Sequence, residues 1–490
     1  MKILMTVALL SIAAGCAETG SVAQDGATAE RTPQLEETIR GMMEENRTAG
    51  MAVVLVKGGK VIYQNAFGYR DKDTREPLEI DDIFRIASIS KSFSGMSVMQ
   101  LVETGKMSLD DDVNDILGMD IRNPRYPDKP VTIRMLLSHT SGMNDGGGYR
   151  DLTYVDKTKT DINLIREKAW LGYPPGKGYK YCNRALNIMG LVIEKVSGER
   201  FDEYVLNHIL KPIGADNSGF NLDTLDESKF TKLYLYDRKR DRLVPGGGYQ
   251  RINEQKVADG TYELGKDGCY WSPTGGMKMS APNLAKWMLT LKNGGVAPNG
   301  NRIISEEGCK TMLTPVVETS DPGTQYCLTI RVETRLVEGK KLIGHTGSAY
   351  GLYSCMYFCP DEDWGIVCLC SSAKPDKVND MHGIRKCLHD IVNLLYGRYV
   401  KGTPPLRVAV YVDKGASNTG AFRWLELAAR AKDVVMTPVD GEAVRRGALD
   451  AADVLVMPGG SSVAESKSLG PDGQGVAYRG VRVIYYESQD

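Results

Sequence analysis

Apolar side chains recur every three or four positions in several stretches of this chain, the spacing that places them on one face of a helix. In 377–397 this apolar side is formed by Ile384, Leu388 and Ile391. Similar spacing predicts helices at 35–46, 184–197 and 201–210, and another that starts at Ser88 and ends near Gly105. A helical insert is therefore expected in the middle of the chain.

Apolar runs on either side of this insert predict strands. Residues 51–70 read as two strands around the two-residue turn Gly58-Gly59, a hairpin signal. Three successive antiparallel strands are predicted at 334–347, 352–360 and 363–372. The combination predicts a mixed α/β fold, in which an antiparallel sheet is flanked by helices and accompanied by a separate helical lobe.

The C-terminal residues follow another pattern. Apolar strands are predicted at 408–413, 434–440 and 454–460, with a helix at 421–431 between the first two. This alternation is typical of βαβ units and predicts a parallel sheet. Residues 401–405 end in Pro404-Pro405 and form a short stiff linker. We therefore expect a small flavodoxin-like α/β domain at 406–490.

Composition narrows the class of protein. The chain has 490 residues, of which 42% are hydrophobic, and its formal net charge is −1. This length allows two domains, or one large domain with an appendage. The balanced charge gives no reason to expect a nucleic-acid partner. After the N-terminus, no apolar run approaches the roughly 20 residues that span a bilayer. The oligomeric state is left open.

The N-terminus has the pattern of an export signal. Lys2 is followed by about a dozen mostly apolar residues and then by Ala13-Ala14-Gly15-Cys16, which resembles a bacterial lipobox. We expect residues 1–15 to be a signal peptide and Cys16 to be lipidated, with 16–33 as a polar tether to the membrane. The predicted location is the bacterial cell envelope. Ordinary cleavage, which would give a free periplasmic protein, is the alternative.

The cysteines do not predict a disulfide framework. Ten are present, and the nine that remain after Cys16 are an odd number without C-x-x-C metal spacing. Four lie in the apolar strands around the turn at 360–363: Cys355, Cys359, Cys368 and Cys370. We expect these four to pack as small hydrophobic side chains, with one cross-strand disulfide as the alternative. The scattered histidines also lack ligand spacing, so no metal or other cofactor is expected.

Ser88 and Lys91 are the first candidate for chemistry. They lie three residues apart, which places both side chains on one face of a helical turn. A serine hydroxyl needs a nearby base before it acts as a nucleophile, and a lysine of lowered pKa can be that base. The S-x-x-K spacing alone arises by chance in many proteins, so its meaning depends on the rest of the chain.

Two further polar triplets follow in order, Y-x-N at 181–183 and H-T-G at 345–347, and they are accompanied by LLSHTSGM at 136–143 and SPTGGMKMS at 272–280. With the serine–lysine pair, this ordered set resembles the serine β-lactamase/DD-peptidase superfamily. The similar branch contains class C β-lactamases, D-alanyl-D-alanine carboxypeptidases and related esterases. The resemblance extends over about 35–398 and implies a serine hydrolase domain at 34–400.

The resemblance implies a role for each matched residue. Ser88 would attack a carbonyl carbon and form an acyl-enzyme, with Lys91 as its base. Tyr181 would carry a proton to the leaving group and is a second candidate base. Asn183 would bind the substrate amide and Lys91. The backbone N–H groups of Ser88 and Ser348 would form the oxyanion hole.

The H-T-G triplet narrows the expected substrate. His345 stands where most β-lactamases carry lysine, and a neutral or partly protonated imidazole gives a weaker, pH-dependent field for a substrate carboxylate. Thr346 can still bond a carboxylate, and Gly347 completes the triplet. We expect a small-molecule or peptidoglycan-type substrate, cleaved as a D-amino-acid peptide or an ester. The alternatives are a β-lactamase and a penicillin-binding sensor or scaffold that is acylated without turnover.

The C-terminal segment VLVMPGGSSVAES, at 454–466, resembles part of a class I glutamine-amidotransferase-like domain. That family uses a cysteine nucleophile, and no cysteine follows Cys387 in this sequence. The tail is therefore expected to be a partial domain without thiol chemistry, with a binding or structural role.

Overall fold

The computed structural model describes residues 33–146, 169–375, 384–402, 406–412, 434–452, 454–458 and 482–486. The strands in chain order are β1 Gly50–Lys57, β2 Lys60–Asp71, β3 Glu76–Pro77, β4 Phe84–Arg85, β5 Tyr234–Asp237, β6 Arg242–Pro245, β7 Lys278–Met279, β8 Val317–Glu318, β9 Thr324–Tyr326, β10 Arg331–Glu333, β11 Leu342–Ala349, β12 Leu352–Cys359, β13 Trp364–Cys370, β14 Leu406–Tyr411, β15 Val434–Val439, β16 Val454–Pro458 and β17 Arg482–Tyr486.

The described α-helices are Pro33–Glu45, Lys91–Glu103, Val113–Leu117, Ile133–Leu137, Asn183–Ser197, Phe201–Val205, Asn253–Ala258, Ala281–Lys292, Glu306–Leu313, Lys386–Leu395 and Gly441–Arg445. Single π-helical segments extend two of them, at Leu206–Leu210 and Tyr396–Lys401. None of the helices within the described ranges is long and apolar enough to cross a membrane.

The main sheet has nine strands in the order β3-β2-β1-β13-β12-β11-β10-β9-β8, and every neighbouring pair is antiparallel. The predicted hairpin at 51–70 and the predicted strands at 352–360 and 363–372 are confirmed. The strand predicted at 334–347 begins only at Leu342, because the residues before it form bends and a turn in which Gly339 has a φ of 71°. The mixed α/β class predicted from the sequence is confirmed.

Both faces of this sheet are covered. In β1, Ala52, Val54 and Val56 pack against the helical part of the molecule, which includes the helices Lys91–Glu103 and Ala281–Lys292. The alternating residues Met51, Val53 and Leu55 pack against the N-terminal helix and the helix Lys386–Leu395. A strand buried on both faces reads as a continuous apolar run, which explains the sequence MAVVLV.

Other predictions can be compared directly. The predicted helix at 377–397 begins at Lys386; Ile384 and Arg385 precede it, and residues 377–383 lie outside the described ranges. All nine cysteines after Cys16 are buried free thiols, which for the four around the turn at 360–363 agrees with the expected packing as small hydrophobic side chains.

The C-terminal strands form a separate parallel sheet in the order β15-β14-β16-β17, as the βαβ pattern predicts. The predicted helix at 421–431, most of the linker and most of the amidotransferase-like segment lie outside the described residues.

Candidate active site

Ser88 lies in a short 3-10 turn, Ala87–Ser90, that leads directly into the helix Lys91–Glu103. The preceding residue Ala87 has a φ of 49°, a left-handed conformation that is strained for a residue with a side chain. The turn is held on both sides: the Ile86 N–H donates to the Met277 carbonyl at 3.0 Å, and Ser354 Oγ donates to the Ile86 carbonyl at 3.1 Å. Ser88 is thus presented, half-buried, on a fixed backbone.

Lys91 lies one turn after Ser88, and its side chain is fully buried. Its Nζ is 3.0 Å from Ser88 Oγ, 2.9 Å from Asn183 Oδ1 and 2.8 Å from the Thr274 carbonyl oxygen. Burial lowers the pKa of Lys91 to about 7, against the opposing effect of the Asp145 carboxylate. Near neutral pH a substantial fraction of this amine is therefore uncharged and able to accept the Ser88 proton.

Asn183 begins the helix Asn183–Ser197, and Asp145 holds it there. Asp145 Oδ2 accepts from Asn183 Nδ2 at 2.9 Å and from its backbone N–H at 3.1 Å, while Oδ1 accepts from the Arg184 N–H at 3.1 Å. Because the amide nitrogen of Asn183 is bound to this carboxylate, its oxygen must face Lys91. Asp145 was not a sequence candidate, since an aspartate two residues after HTSGM carries no spacing signal of its own.

Asp145→Asn should impair this arrangement in two ways. The lost carboxylate no longer fixes the Asn183 amide, so we expect kcat to fall by about tenfold or more. The pKa of Lys91 should fall as well, since Asp145 raises it, and the acid limb of the pH–rate profile should move to lower pH. The measurement is kcat/KM against pH. The exposed Asp128→Asn is the matched control, and an unchanged acid limb in Asp145→Asn would contradict the assignment.

Tyr181 lies beside the same pair. Lys91 Nζ is 4.8 Å from the centre of its ring. Burial raises the pKa of Tyr181 above its usual value, against the opposing effect of a hydrogen bond with Ser88. The phenol is therefore protonated at neutral pH. Of the two candidate bases expected from the sequence, the pKa directions favour Lys91, and they leave Tyr181 as a donor.

His345 is buried on β11, and both of its ring nitrogens have partners within the protein. Nδ1 is 2.6 Å from the Thr346 carbonyl oxygen, and Nε2 is 3.1 Å from Tyr326 Oη. Burial, with Arg331 and Lys91 nearby, lowers the pKa of His345 well below its usual value. The sequence left open whether this imidazole is neutral or partly protonated; the lowered pKa favours the neutral form, which supplies no charge for a substrate carboxylate.

His345 ends a directed chain of hydrogen bonds. The Cys182 N–H donates to His139 Nδ1 at 3.2 Å, so His139 must carry its proton on Nε2 and donate to Tyr326 Oη at 3.1 Å. Tyr326 then donates to His345 Nε2, and His345 Nδ1 donates to the Thr346 carbonyl. The tautomer of His139 is fixed by the Cys182 N–H and that of His345 by the Thr346 carbonyl, and both require the same direction of donation through Tyr326. His139 therefore supports the site through Tyr326, without lining the cleft.

Arg331, on β10, is a cleft residue that the sequence reasoning missed. It is 9% exposed, and within the described part of the chain no carboxylate forms an ion pair with it and no acceptor bonds its Nε. A guanidinium keeps its charge under all ordinary conditions. Burial disfavours the charge of Arg331, but surrounding tyrosines, among them Tyr357 and Tyr179, favour it and raise its pKa overall. Arg331 thus carries a fixed positive charge in this cleft; a second guanidinium, that of Arg85, donates to the Gly248 and Gly275 carbonyls.

Gly347 and Ser348 bring β11 beside the nucleophile. A Cβ on Gly347 would lie 2.3 Å from the Ile86 carbonyl oxygen, so only glycine allows this approach. Thr346 and Ser348 line the same cleft as Ser88, Tyr181 and Asn183, which has a volume of about 410 Å³. Of the residues predicted from the sequence, Cys16 lies outside the described ranges; the structure brings the others together.

The described residues contain one group with metal-ligand geometry, formed by Glu79, Asp81 and Asp82. None of the three lines the cleft, and Lys229 lies within 4.0 Å of all three carboxylates.

Comparison with known proteins places this site in a family. Residues 35–386 match the family model described as Beta-lactamase. Protein flp of Staphylococcus aureus (strain MW2) is 23% identical over 351 residues, which are 70% of this chain and 63% of that protein. Penicillin-binding protein 4* of Bacillus subtilis (strain 168) is 29% identical over 234 residues, 46% of this chain and 50% of that protein. The chain thus spans less than two thirds of either relative.

Among solved structures, the octameric penicillin-binding protein homologue from Pyrococcus abyssi has a similar fold. The TM-score is 0.59 at 27% identity, over 74% of this chain and 77% of that chain. The family model covers well over half of the 490 residues and includes every motif of the cleft. The chain therefore belongs to the Beta-lactamase family, within the serine β-lactamase/DD-peptidase superfamily.

Proposed function

We propose that this protein is a serine hydrolase that forms an acyl-enzyme on Ser88 and cleaves D-amino-acid peptides or the corresponding esters. The observation that carries the proposal is the contact between Ser88 Oγ and the buried Lys91 amine, 3.0 Å away. Acyl transfer needs at least a nucleophile and, within hydrogen-bond distance of it, a base whose pKa lies near the working pH.

The positions of these groups support the following reaction. Ser88 Oγ attacks the substrate carbonyl carbon while its proton passes to Lys91, and the oxygen of the tetrahedral intermediate is bound by the backbone N–H groups of Ser88 and Ser348. The scissile bond then breaks, and the leaving group takes a proton through Tyr181. Water then attacks the carbonyl carbon of the acyl-enzyme, and its proton passes to Ser88 Oγ as the ester bond breaks. The acid is released and the Ser88 hydroxyl is restored.

Arg331 and Thr346 suggest what the leaving group carries. A buried guanidinium that lacks a carboxylate partner within the described residues is a suitable site for a substrate carboxylate, because a charged pair satisfies both groups. Neutral His345 cannot supply that charge. A peptide with a free C-terminal carboxylate next to the scissile bond fits these groups, which favours the carboxypeptidase-like activity. Two of the relatives are named penicillin-binding proteins or their homologues, and penicillins also carry a carboxylate.

A substrate panel tests this proposal. The wild-type protein should be labelled by a fluorescent penicillin and should turn over a D-alanyl-D-alanine peptide or a chromogenic ester. Ser88→Ala should abolish both signals. The neighbouring-serine control is Ser90→Ala, because the Ser90 hydroxyl donates to the Ala87 carbonyl at 2.6 Å and is not among the hydrogen-bond partners of Lys91. Labelling that survives Ser88→Ala would refute the proposal. A stable one-to-one adduct without turnover of any substrate would instead identify a penicillin-binding sensor.

A further inference from the structure

Two buried residues of opposite charge also line the cleft, and Arg331 is not among the charged groups that act most strongly on the lysine of this pair, Lys278. Lys278 is 5% exposed and Glu254 is 6% exposed, and both line the cleft. We call this part of the cleft, formed by Lys278, Glu254 and Phe220, the acyl-side pocket. Neither residue takes part in the reaction proposed above.

Lys278 is close to the nucleophile in the fold. It lies on β7, directly opposite Arg85 on β4, and Arg85 precedes Ser88 by three residues. Its Nζ donates to the Phe220 carbonyl, which is the one side-chain hydrogen bond of Lys278 in the described part of the chain. An ammonium has three donors, so two remain for a ligand. Burial lowers the pKa of Lys278 to about 7, and a bound carboxylate would favour its charged form.

Glu254 also has hydrogen-bonding capacity that remains for a ligand. One of its carboxylate oxygens accepts from the Leu222 N–H at 2.9 Å. Among the ion pairs of the described residues there is none between Glu254 and Lys278, although each lies in the field of the other. The other charged groups that act on Lys278 are already engaged. Arg85 donates to the Gly248 and Gly275 carbonyls, Asp202 is paired with Arg200, and Arg251 is paired with Asp223 and Glu227. Lys278 and Glu254 therefore line the same cleft with opposite charges but do not form an ion pair with each other.

We propose that the acyl-side pocket binds a zwitterionic amino-acid group on the acyl half of the substrate, with its carboxylate on Lys278 and its ammonium on Glu254. This inference rests on the proposed function. A buried charge without a partner is unfavourable, so a ligand that carries both charges satisfies both residues. A ligand with one charge leaves the other residue without a partner, and an uncharged ligand leaves both.

Four substrates test the inference. All are D-alanyl-D-alanine peptides with acyl chains of one length, ending in an amino-acid zwitterion, in its N-acetyl derivative, in its carboxamide, or in an uncharged alkyl group. The wild-type kcat/KM should be about tenfold or more higher for the zwitterion than for each of the others. In Lys278→Met and in Glu254→Gln, the ratio of zwitterion to alkyl substrate should fall toward one. The control is Lys286→Met, a partly buried lysine outside the cleft, which should keep the wild-type ratio.

The outcomes separate this inference from the proposed function. Turnover of all four wild-type substrates at similar kcat/KM would overturn the acyl-side pocket and leave the hydrolase intact. A preference that persists in either variant would overturn it as well. Absence of both turnover and penicillin labelling in the wild type would refute the hydrolase and the inference that rests on it. Because each ratio is taken within one protein, a general loss of activity does not affect it; if Lys278→Met does not fold, the wild-type ratio and Glu254→Gln decide.

Discussion

Lys91→Met should reduce the rate of acylation by about a thousandfold or more, the largest effect expected of any change that leaves Ser88 in place. Methionine fills much of the same buried volume but has no amine to accept the Ser88 proton. In the wild type, acylation should rise with pH through about 7, because the base is active only when uncharged and its pKa lies there. The variant should lose this rise. Stopped-flow labelling with a fluorescent penicillin across pH 5–9 measures both.

The control for Lys91→Met is Lys286→Met, which removes a lysine that donates to the Gly214 carbonyl away from the cleft. Its rate and pH profile should match those of the wild type. Thermal unfolding of each variant shows whether the protein is folded. A folded Lys91→Met protein that is acylated at the wild-type rate would exclude Lys91 as the base and would return Tyr181 to consideration.

Arg331→Met should lower kcat/KM by about a hundredfold for peptides that end in a free carboxylate. The Arg331 guanidinium is a permanent charge in the cleft that has no carboxylate partner among the described residues, and neutral His345 cannot replace it. Arg331→Lys should recover only part of the loss, because an ammonium lacks the planar, two-pronged geometry of a guanidinium. The measurement compares each peptide acid with its C-terminal amide, which has no carboxylate for Arg331 to bind.

The quantity that decides is the ratio of acid to amide within one protein. It should be well above one in the wild type and in the exposed control Arg238→Met, and close to one in Arg331→Met. A ratio that stays at the wild-type value in Arg331→Met would show that Thr346, or another group, recognises the carboxylate.

The sequence predicted the parts of the site that depend on short spacing. Ser88 and Lys91 meet because three residues span one helical turn, which holds wherever the helix is placed. The strands β12 and β13 could also be predicted from a local pattern, since their apolar residues are continuous. Asn183 lies 92 positions from Lys91, so its place beside the amine followed only from the family resemblance.

Other parts depend on packing that no local pattern records. Arg331 reaches the cleft because of the register between β10 and β11, where it lies opposite Gly344. Asp145 reaches Asn183 across 38 residues. The charge of His345 depends on its burial and on Arg331, so the residue type alone left both protonation states open. The late start of β11 at Leu342 likewise depends on the turn before it.

The hydrogen-bond chain from Cys182 to Thr346 has a consequence for where protons travel. Every acceptor nitrogen in it is already occupied, and every hydrogen points the same way, so a proton cannot enter it without reversing each bond in turn. Without this arrangement, the two imidazoles and the phenol near Lys91 would be a path for a proton into the interior of the protein. In the proposed reaction, His139, Tyr326 and His345 therefore do not accept a proton from Lys91, and the proton taken from Ser88 remains available for the leaving group.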